Sequence, residues 1–309
     1  VSSIKSDRWS KLLTESRNPR SARLDGMSTA AIVRLLLDED RRAVAAALRE
    51  AGAVTRAANE VVRALKGGGR VLLAGAGTSG RLAVLEAAEC PPTFGSDPDT
   101  IRASMAGGEG AVFRAVEGAE DVARDGARAA ARLRRRDLLV GISASSVTPY
   151  VRGALAAARA RGATTVLITC APQRGLGRLA DVVVAVPTGP EVLTGSTRLK
   201  AGSATKAVLN AITTAAMVRL GKAYQNLMVD VRPNSAKLRD RSRRIVAAAA
   251  GVGAGRAAEL LAGAAGEVKT AIVMGRLGVT AAEARRRLTA ARGHVRQALA
   301  ARPARSRSG

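Results

Sequence analysis

Five short apolar runs constrain the fold more than anything else in the chain: RVLLAG from Arg70, IRASMAG from Ile101, DLLVGIS from Asp137, TTVLITC from Thr164 and DVVVAVP from Asp181. Each is too short for a core helix. Each is also nearly continuously apolar, which suits a strand buried on both faces. Their starts fall roughly 30 residues apart, with Ala-rich helical stretches between most of them, the rhythm of βαβ units. The expectation is an α/β fold, a parallel-sheet sandwich with flanking helices. Ligands in such sheets bind beyond the carboxyl ends of the strands, so the chemistry should follow the runs.

The first run feeds the stretch RVLLAGAGTSGRLAVLEAAECPP, Arg70 to Pro92. Gly75 and Gly77 permit a tight turn, Thr78 and Ser79 place hydroxyls beside an opening helix, and Gly80 allows close backbone approach. Backbone N–H groups at such a helix start attract an anion. After the third run, Ser143-Ala144-Ser145-Ser146-Val147-Thr148-Pro149 forms a second hydroxyl-rich turn, with Pro149 suited to the first turn of the next helix. Two such loops on one sheet, without a P-loop lysine motif, favour a phosphate on a small molecule over a nucleoside triphosphate. After the last run, TGPEVLTGSTRLKAGSATKAVLN enters a long helix ending near Gly221. Arg198, Lys200 and Lys206 there could complement an anionic ligand or satisfy a helix end.

Before the sheet, residues 1–25 form a polar, basic arm with a turn at Asn18-Pro19, and Ser28 is a plausible N-cap. Two helical stretches follow, each running into glycines suited to a C-cap. From Asn234 to about Ala300 the composition shifts to short Ala- and Arg-rich helices punctuated at Gly251, Gly253, Gly266, Gly278 and Gly293.

The 50 basic against 25 acidic residues, formally +25, raise the question of a polyanionic partner. The basic residues are mostly Arg, scattered among abundant Ala and Gly, and aromatic residues make up only 2%. Stacking on nucleobases is therefore disfavoured, and nucleic acid is not the expected partner. Cys90 and Cys170 lack metal-ligand spacing, which suits a reducing cytosol. No run approaches the roughly 18 apolar residues of a membrane span, and no cleavable leader is seen, so a cytoplasmic protein without membrane contact is expected.

His294 is the one histidine and lies far from both loops, so neither His-based catalysis nor a zinc site is supported and no metal or other cofactor is expected. Carboxylates remain. Glu86 and Glu89 lie on the helix leaving the first loop, and Glu109, Glu117 and Glu120 follow the second strand. Two of them flanking a bound sugar could share proton removal and donation; equally, each could be a solvated helix face.

At LDGMSTAAIVRLLLDED, GAGTSGRLAVLEAAECPPTFG, AGGEGAVFRAVEGAED, GPEVLTGSTRLKAGSATK and NLMVDV, the chain resembles the sugar isomerase (SIS) phosphosugar-binding superfamily. Within it, the resemblance is to the N-acetylmuramic acid 6-phosphate etherase family, related to the glucokinase regulatory protein. It spans about Thr14 to Ala300. The resemblance, together with the composition along the chain, implies four regions: an N-terminal arm and helix (1–55), a SIS phosphosugar-binding domain (56–232), a C-terminal helical domain (233–301) and a disordered basic tail (302–309). It implies that Ser79, Ser145 and Thr148 hold the sugar 6-phosphate and that Glu89 and Glu120 are the acid–base pair, in roles that could be exchanged. Gly77, Thr78, Glu86, Glu109, Arg198 and Lys200 would support them. The implied reaction is cofactor-free lactyl ether cleavage by elimination and water addition, in a homodimer with its site near the subunit boundary.

The chain departs from the family pattern where ASGRTPY is expected. It has ASSVTPY, so Ser146 stands for Gly and Val147 for Arg. Ser146 is expected to crowd the backbone where phosphate approaches. Ala31 and Leu37 likewise replace the usual Glu and Asn. These changes keep a non-catalytic phosphosugar sensor open as the alternative; a sugar-phosphate isomerase is a further option, since an aldehyde and a C2 proton serve that reaction too. A nucleic-acid-binding regulator would need a DNA-reading helix pair, which the N-terminal helices do not show.

Overall fold

A computed structural model describes residues 12–173, 175–230 and 236–300. The first eleven residues of the arm and the tail at 302–309 lie outside the described residues. The chain divides into two compact units: one holds residues up to 88 together with 98–214, the other 89–97 with the residues from 215 onward.

In the first unit, helices α1 (Thr29–Arg49) and α2 (Ala51–Lys66) precede the sheet. Ser28 caps α1 as expected, its hydroxyl accepting from the Ala31 N–H. Gly52 does not end α1: the break falls at Glu50, and Gly52 sits in the first turn of α2. Gly68 does serve, at φ +70°, where the chain leaves α2 and the Gly69 N–H returns to the Ala64 carbonyl.

All five apolar runs are strands: β1 (Val71–Gly75), β2 (Ile101–Met105), β3 (Leu138–Ile142), β4 (Thr164–Thr169) and β5 (Val182–Ala185). They form one sheet in the order β2-β1-β3-β4-β5, every pair parallel. Between them lie α3 (Gly77–Phe94), α4 (Ala123–Ala130) and α5 (Pro149–Ala160), and α6 (Lys200–Arg219) follows the last strand. The aspartates that open two of the runs fix neighbouring backbone. Asp137 accepts from the Arg70 and Arg134 N–H groups, and Asp181 from the N–H and hydroxyl of Thr165.

Alternation along the strands sorts the core into two layers. Leu72 and Ala74, Leu139, and Leu167 belong with Tyr150, Val151, Ala154 and Leu155 of α5. Leu73, Leu138, Val140, Val166 and Ile168 are equally buried on the opposite face, and α2 packs against β1, β3 and β5. With both faces covered, the continuous apolar character of the runs has its physical cause.

The second unit contains the two-residue ladder of β6 (Ala223–Tyr224) with β7 (Leu227–Met228). Among the described residues, five helices follow: α7 (Ala236–Ala250), α8 (Ala254–Gly263), α9 (Val268–Leu277), α10 (Ala281–Ala290) and α11 (Val295–Ala300). Val246, Ala257, Ile272, Val273 and Ala284 form its core. The Lys222 and Lys269 ammonium groups converge on Asp230 at 3.1 and 2.7 Å. No single described helix is long and apolar enough to cross a membrane; α7 and α8 together reach the length but are bent by 105° at their break.

Candidate active site

The strand order reverses at β1: the chain leaves it for β2 on one side, and β3 pairs on the other. At such a switch point the two connections diverge and leave a crevice beyond the carboxyl ends of the strands. A cavity of about 240 Å³ lies there, lined by Ala76, Gly77, Thr78 and Ser79 after β1 and by Ala144, Ser145 and Thr148 after β3. Glu120, Thr14, Glu15, Gly195 and Thr197 complete its wall.

The first loop depends on two glycines. A Cβ on Gly75 would come within 2.7 Å of the Gly80 nitrogen, and one on Gly80 within 2.8 Å of the Gly75 carbonyl oxygen and 2.6 Å of Met105 Cγ. Only bare backbone lets strand and helix approach so closely. The first turn of α3 therefore opens directly over the end of β1, with Thr78 and Ser79 at the cavity. In the second loop, Thr148 is the N-cap of α5 and Pro149 its first residue. The Thr148 and Ser143 hydroxyls are 2.8 Å apart, and Ser145 Oγ accepts from the Val147 N–H at 3.4 Å. Two helix N-termini and four hydroxyls thus meet in one small space, an arrangement that suits a phosphate.

Ser146 does not crowd this space. Its backbone takes the left-handed conformation at φ +63°, and the side chain is buried. Its hydroxyl donates to the carbonyls of Ser145 and Ala171, and Ser146 is not among the residues that line the cavity. The side chain does not obstruct the cavity because it is buried and held by backbone carbonyls. The Arg152 guanidinium further fixes the turn, donating to the Ser146 carbonyl at 3.2 Å.

Glu120 sits on a short 3-10 turn, Ala119–Asp121, entered through Gly118 at φ +73°. Arg81, on α3, donates to the Ala111 and Val112 carbonyls at 2.8 and 2.9 Å, tying the start of that segment to the helix. Of the expected site residues, Gly77, Thr78, Ser79, Glu120, Ser145 and Thr148 line the same cavity.

The others lie elsewhere. Glu89 is exposed on α3, ten positions beyond Ser79. Glu86 is buried and accepts a hydrogen bond from the Thr213 hydroxyl of α6. Glu109 is exposed, just ahead of the helical turn Gly110–Phe113, and Arg198 is exposed in the loop past Gly195 and Thr197. Lys206 bonds Asn210 at 2.7 Å on its own helix.

Lys200 is 4% exposed at the start of α6 and forms an ion pair with Glu39 of α1, itself 3% exposed. Asn18 adds a hydrogen bond to Glu39 at 3.1 Å, and Arg20 adds a second cation. Burial alone would raise the Glu39 carboxyl; the hydrogen bonds from Lys200 and Arg20 outweigh it and hold the group below the usual carboxylate range. Glu191 caps the same helix, accepting from the N–H groups of Lys200 and Ala201 at 3.3 and 3.0 Å, while burial pushes its carboxyl up. Within the GPE-to-lysine stretch, Glu191 and Lys200 thus build the end of α6.

Sequence reasoning missed Thr14 and Glu15. Nothing in the polar arm marks them; the turn at Asn18-Pro19 is the nearest cue, since buried Asn18 pins the arm by donating to the Pro190 carbonyl as well as to Glu39. Among the described residues, no group of three or more His, Cys, Asp or Glu side chains could hold a metal ion. His294 packs near Gly221 in the second unit.

This arrangement defines a class, the SIS-domain proteins. The family model for the glucokinase regulatory protein N-terminal SIS domain matches residues 53–159, and the SIS domain model matches residues 114–215. The chain is 51% identical to N-acetylmuramic acid 6-phosphate etherase of Rubrobacter xylanophilus, covering 95% of this chain and 97% of that one. Against the etherase of Salmonella agona it is 47% identical over 93% of this chain and 98% of the relative, and against that of Cutibacterium acnes 49% over 93% and 95%. The chain belongs to the N-acetylmuramic acid 6-phosphate etherase family.

Proposed function

We propose that the chain is a carbon–oxygen lyase that cleaves the lactyl ether of N-acetylmuramic acid 6-phosphate, giving N-acetylglucosamine 6-phosphate and D-lactate. The observation that carries this reading is the cavity at the switch point, where the hydroxyls and helix N-termini of two loops share one lining with Glu120, in a chain of this family. Ser79, Ser145 and Thr148 hold the 6-phosphate, with Gly77 and Thr78 shaping the loop. Glu120 and Glu89 are the acid–base pair.

The chemistry follows from the open-chain aldehyde, whose C1 carbonyl acidifies the proton on C2. Glu120 removes that proton, electrons form the C2–C3 double bond, and the C3–O bond breaks as Glu89 protonates the departing lactate oxygen. Water, deprotonated by Glu89, then adds at C3 while Glu120 returns a proton to C2, restoring a hydroxyl where the ether stood. Phosphate binding supplies the orientation that this proton transfer at carbon requires. Glu86, Glu109, Arg198 and Lys200 act in support, Glu86 and Lys200 by bracing α3 and α6.

The working form is a homodimer in the cytoplasm. Two features favour the dimer. Leu85 and Glu89 occupy the same side of α3, one turn apart, and both are exposed; Phe113, Val116 and Val122, around the Glu120 segment, are exposed as well. Exposed apolar side chains near each carboxylate suit a subunit boundary.

Running the reaction in D2O tests the elimination–addition course. The expected product is N-acetylglucosamine 6-phosphate carrying deuterium at C2, with D-lactate in equal amount. A rearranged sugar phosphate without lactate would instead mean an isomerase.

A further inference from the structure

Among the described residues, two carboxylates line the cavity, and of these Glu120 alone has a role in the reaction proposed above. The second, Glu15, comes from the N-terminal arm. The arm is held there by buried contacts that do not involve its carboxylate. Thr14 is buried and its carbonyl accepts from the Gly195 N–H at 3.1 Å, while Asn18, four residues on, is clamped between Glu39 and the Pro190 carbonyl. Glu15 Oε2 faces Gly195, where a Cβ would stand 3.2 Å away. Its hydrogen bond among the described residues is a long one, 3.3 Å from the neighbouring Thr14 hydroxyl, and no described cation pairs with it.

We propose that Glu15 is a substrate-recognition residue that accepts hydrogen bonds from the sugar's hydroxyl or amide N–H groups remote from the 6-phosphate. The assignment rests on the cavity being a phosphosugar site. An anchored arm delivers a carboxylate with most of its acceptor capacity unused among the described residues, in a cavity otherwise lined by hydroxyls, small residues and Glu120. No Lys or Arg lines the cavity among the described residues, so a phosphate dianion must sit at the hydroxyl and helix-terminus side, repelled by both carboxylates. That polarity leaves Glu15 facing the polyhydroxyl part of the ligand. Gly195 at φ +78° keeps the wall beside the carboxylate free of a side chain.

The test compares binding of N-acetylglucosamine 6-phosphate and inorganic phosphate by calorimetry to wild type, Glu15→Gln and Glu15→Ala, with D-lactate release measured in parallel. The expected result is affinity for the phosphosugar at least tenfold lower in Glu15→Ala, with phosphate affinity changed less than twofold and an intermediate effect in Glu15→Gln. Asn18→Ala serves as the control that loosens the arm but keeps the carboxylate. Equal loss of both ligands in Glu15→Ala, matching Asn18→Ala, would make Glu15 an arm anchor and overturn the proposal, as would unchanged phosphosugar affinity. Selective loss in a wild-type background that releases no lactate would uphold Glu15 and defeat the etherase reading instead.

Discussion

Replacing Lys200 with Met separates a structural lysine from a ligand-binding one. Both members of the Glu39–Lys200 pair are at least 95% buried, and removing one partner of such a pair leaves an uncompensated charge, at a typical cost of about 3–5 kcal/mol. Glu39 keeps Asn18 and Arg20 after the substitution, which places Lys200→Met near the lower end, about 3 kcal/mol. At roughly 2–4 °C per kcal/mol for a unit of this size, Tm should fall by about 6–12 °C. Glu39→Gln should cost more, since the buried ammonium then faces only a neutral amide. The double variant Glu39→Gln/Lys200→Met should lose less than the sum of the singles, by roughly 0.5–3 kcal/mol of coupling. Urea denaturation followed by circular dichroism reads all three, and calorimetry with inorganic phosphate reads the site. Wild-type stability in Lys200→Met, together with weakened phosphate binding, would refute the reasoning and return Lys200 to the ligand.

The depressed Glu39 carboxyl also sets a pH dependence. Because its folded value lies below its unfolded one, its contribution is present above the ordinary carboxylate range and lost as pH falls through the lowered value, so Lys200→Met should unfold at a higher pH than wild type in an acid titration. Burial pushes the Cys170 thiol up to about 11, so iodoacetamide at pH 8 should leave it unmodified in the folded protein and label it in urea. Its stabilising effect is full below the ordinary thiol value and is lost as pH rises through about 11. Gly80→Val should lower stability by at least about 2 kcal/mol and abolish phosphate binding, because the added atoms meet strand backbone that cannot yield. Gly255→Ala, with nothing within 4 Å of the new methyl, should be neutral or slightly stabilising by the same denaturation assay.

The sheet was legible because its strands are buried on both faces, which leaves continuous apolar runs that no helix would need. Both loops were legible too: the close approach of strand end and helix start demands the small residues Gly75 and Gly80, and Pro149, with its fixed φ and no N–H to satisfy, marks the first residue of a helix. What lay beyond reading was contact between distant segments. Lys200 and Glu39 are 161 positions apart, and nothing in either neighbourhood signals that a cation beside a signature motif is spent on a buried pair. Glu15 was hidden for the same reason, its position being fixed by Asn18 and Thr14 gripping the stretch around Pro190 and Gly195. Ser146 shows the opposite error. Standing where the family pattern has Gly, it is expected to crowd the phosphate, but its buried hydroxyl is held by the Ser145 and Ala171 carbonyls and the residue is not part of the cavity lining.

D-lactate release from N-acetylmuramic acid 6-phosphate, measured for wild type beside Glu89→Ala and Glu120→Ala, tests the central claim most directly. The account predicts release by wild type at a rate that either substitution lowers by at least about a hundredfold, the usual scale for loss of a general acid or base, with inorganic phosphate still bound. Release that persists in both variants would contradict the acid–base pair, and a wild type that binds the phosphosugar without releasing lactate would contradict the etherase itself.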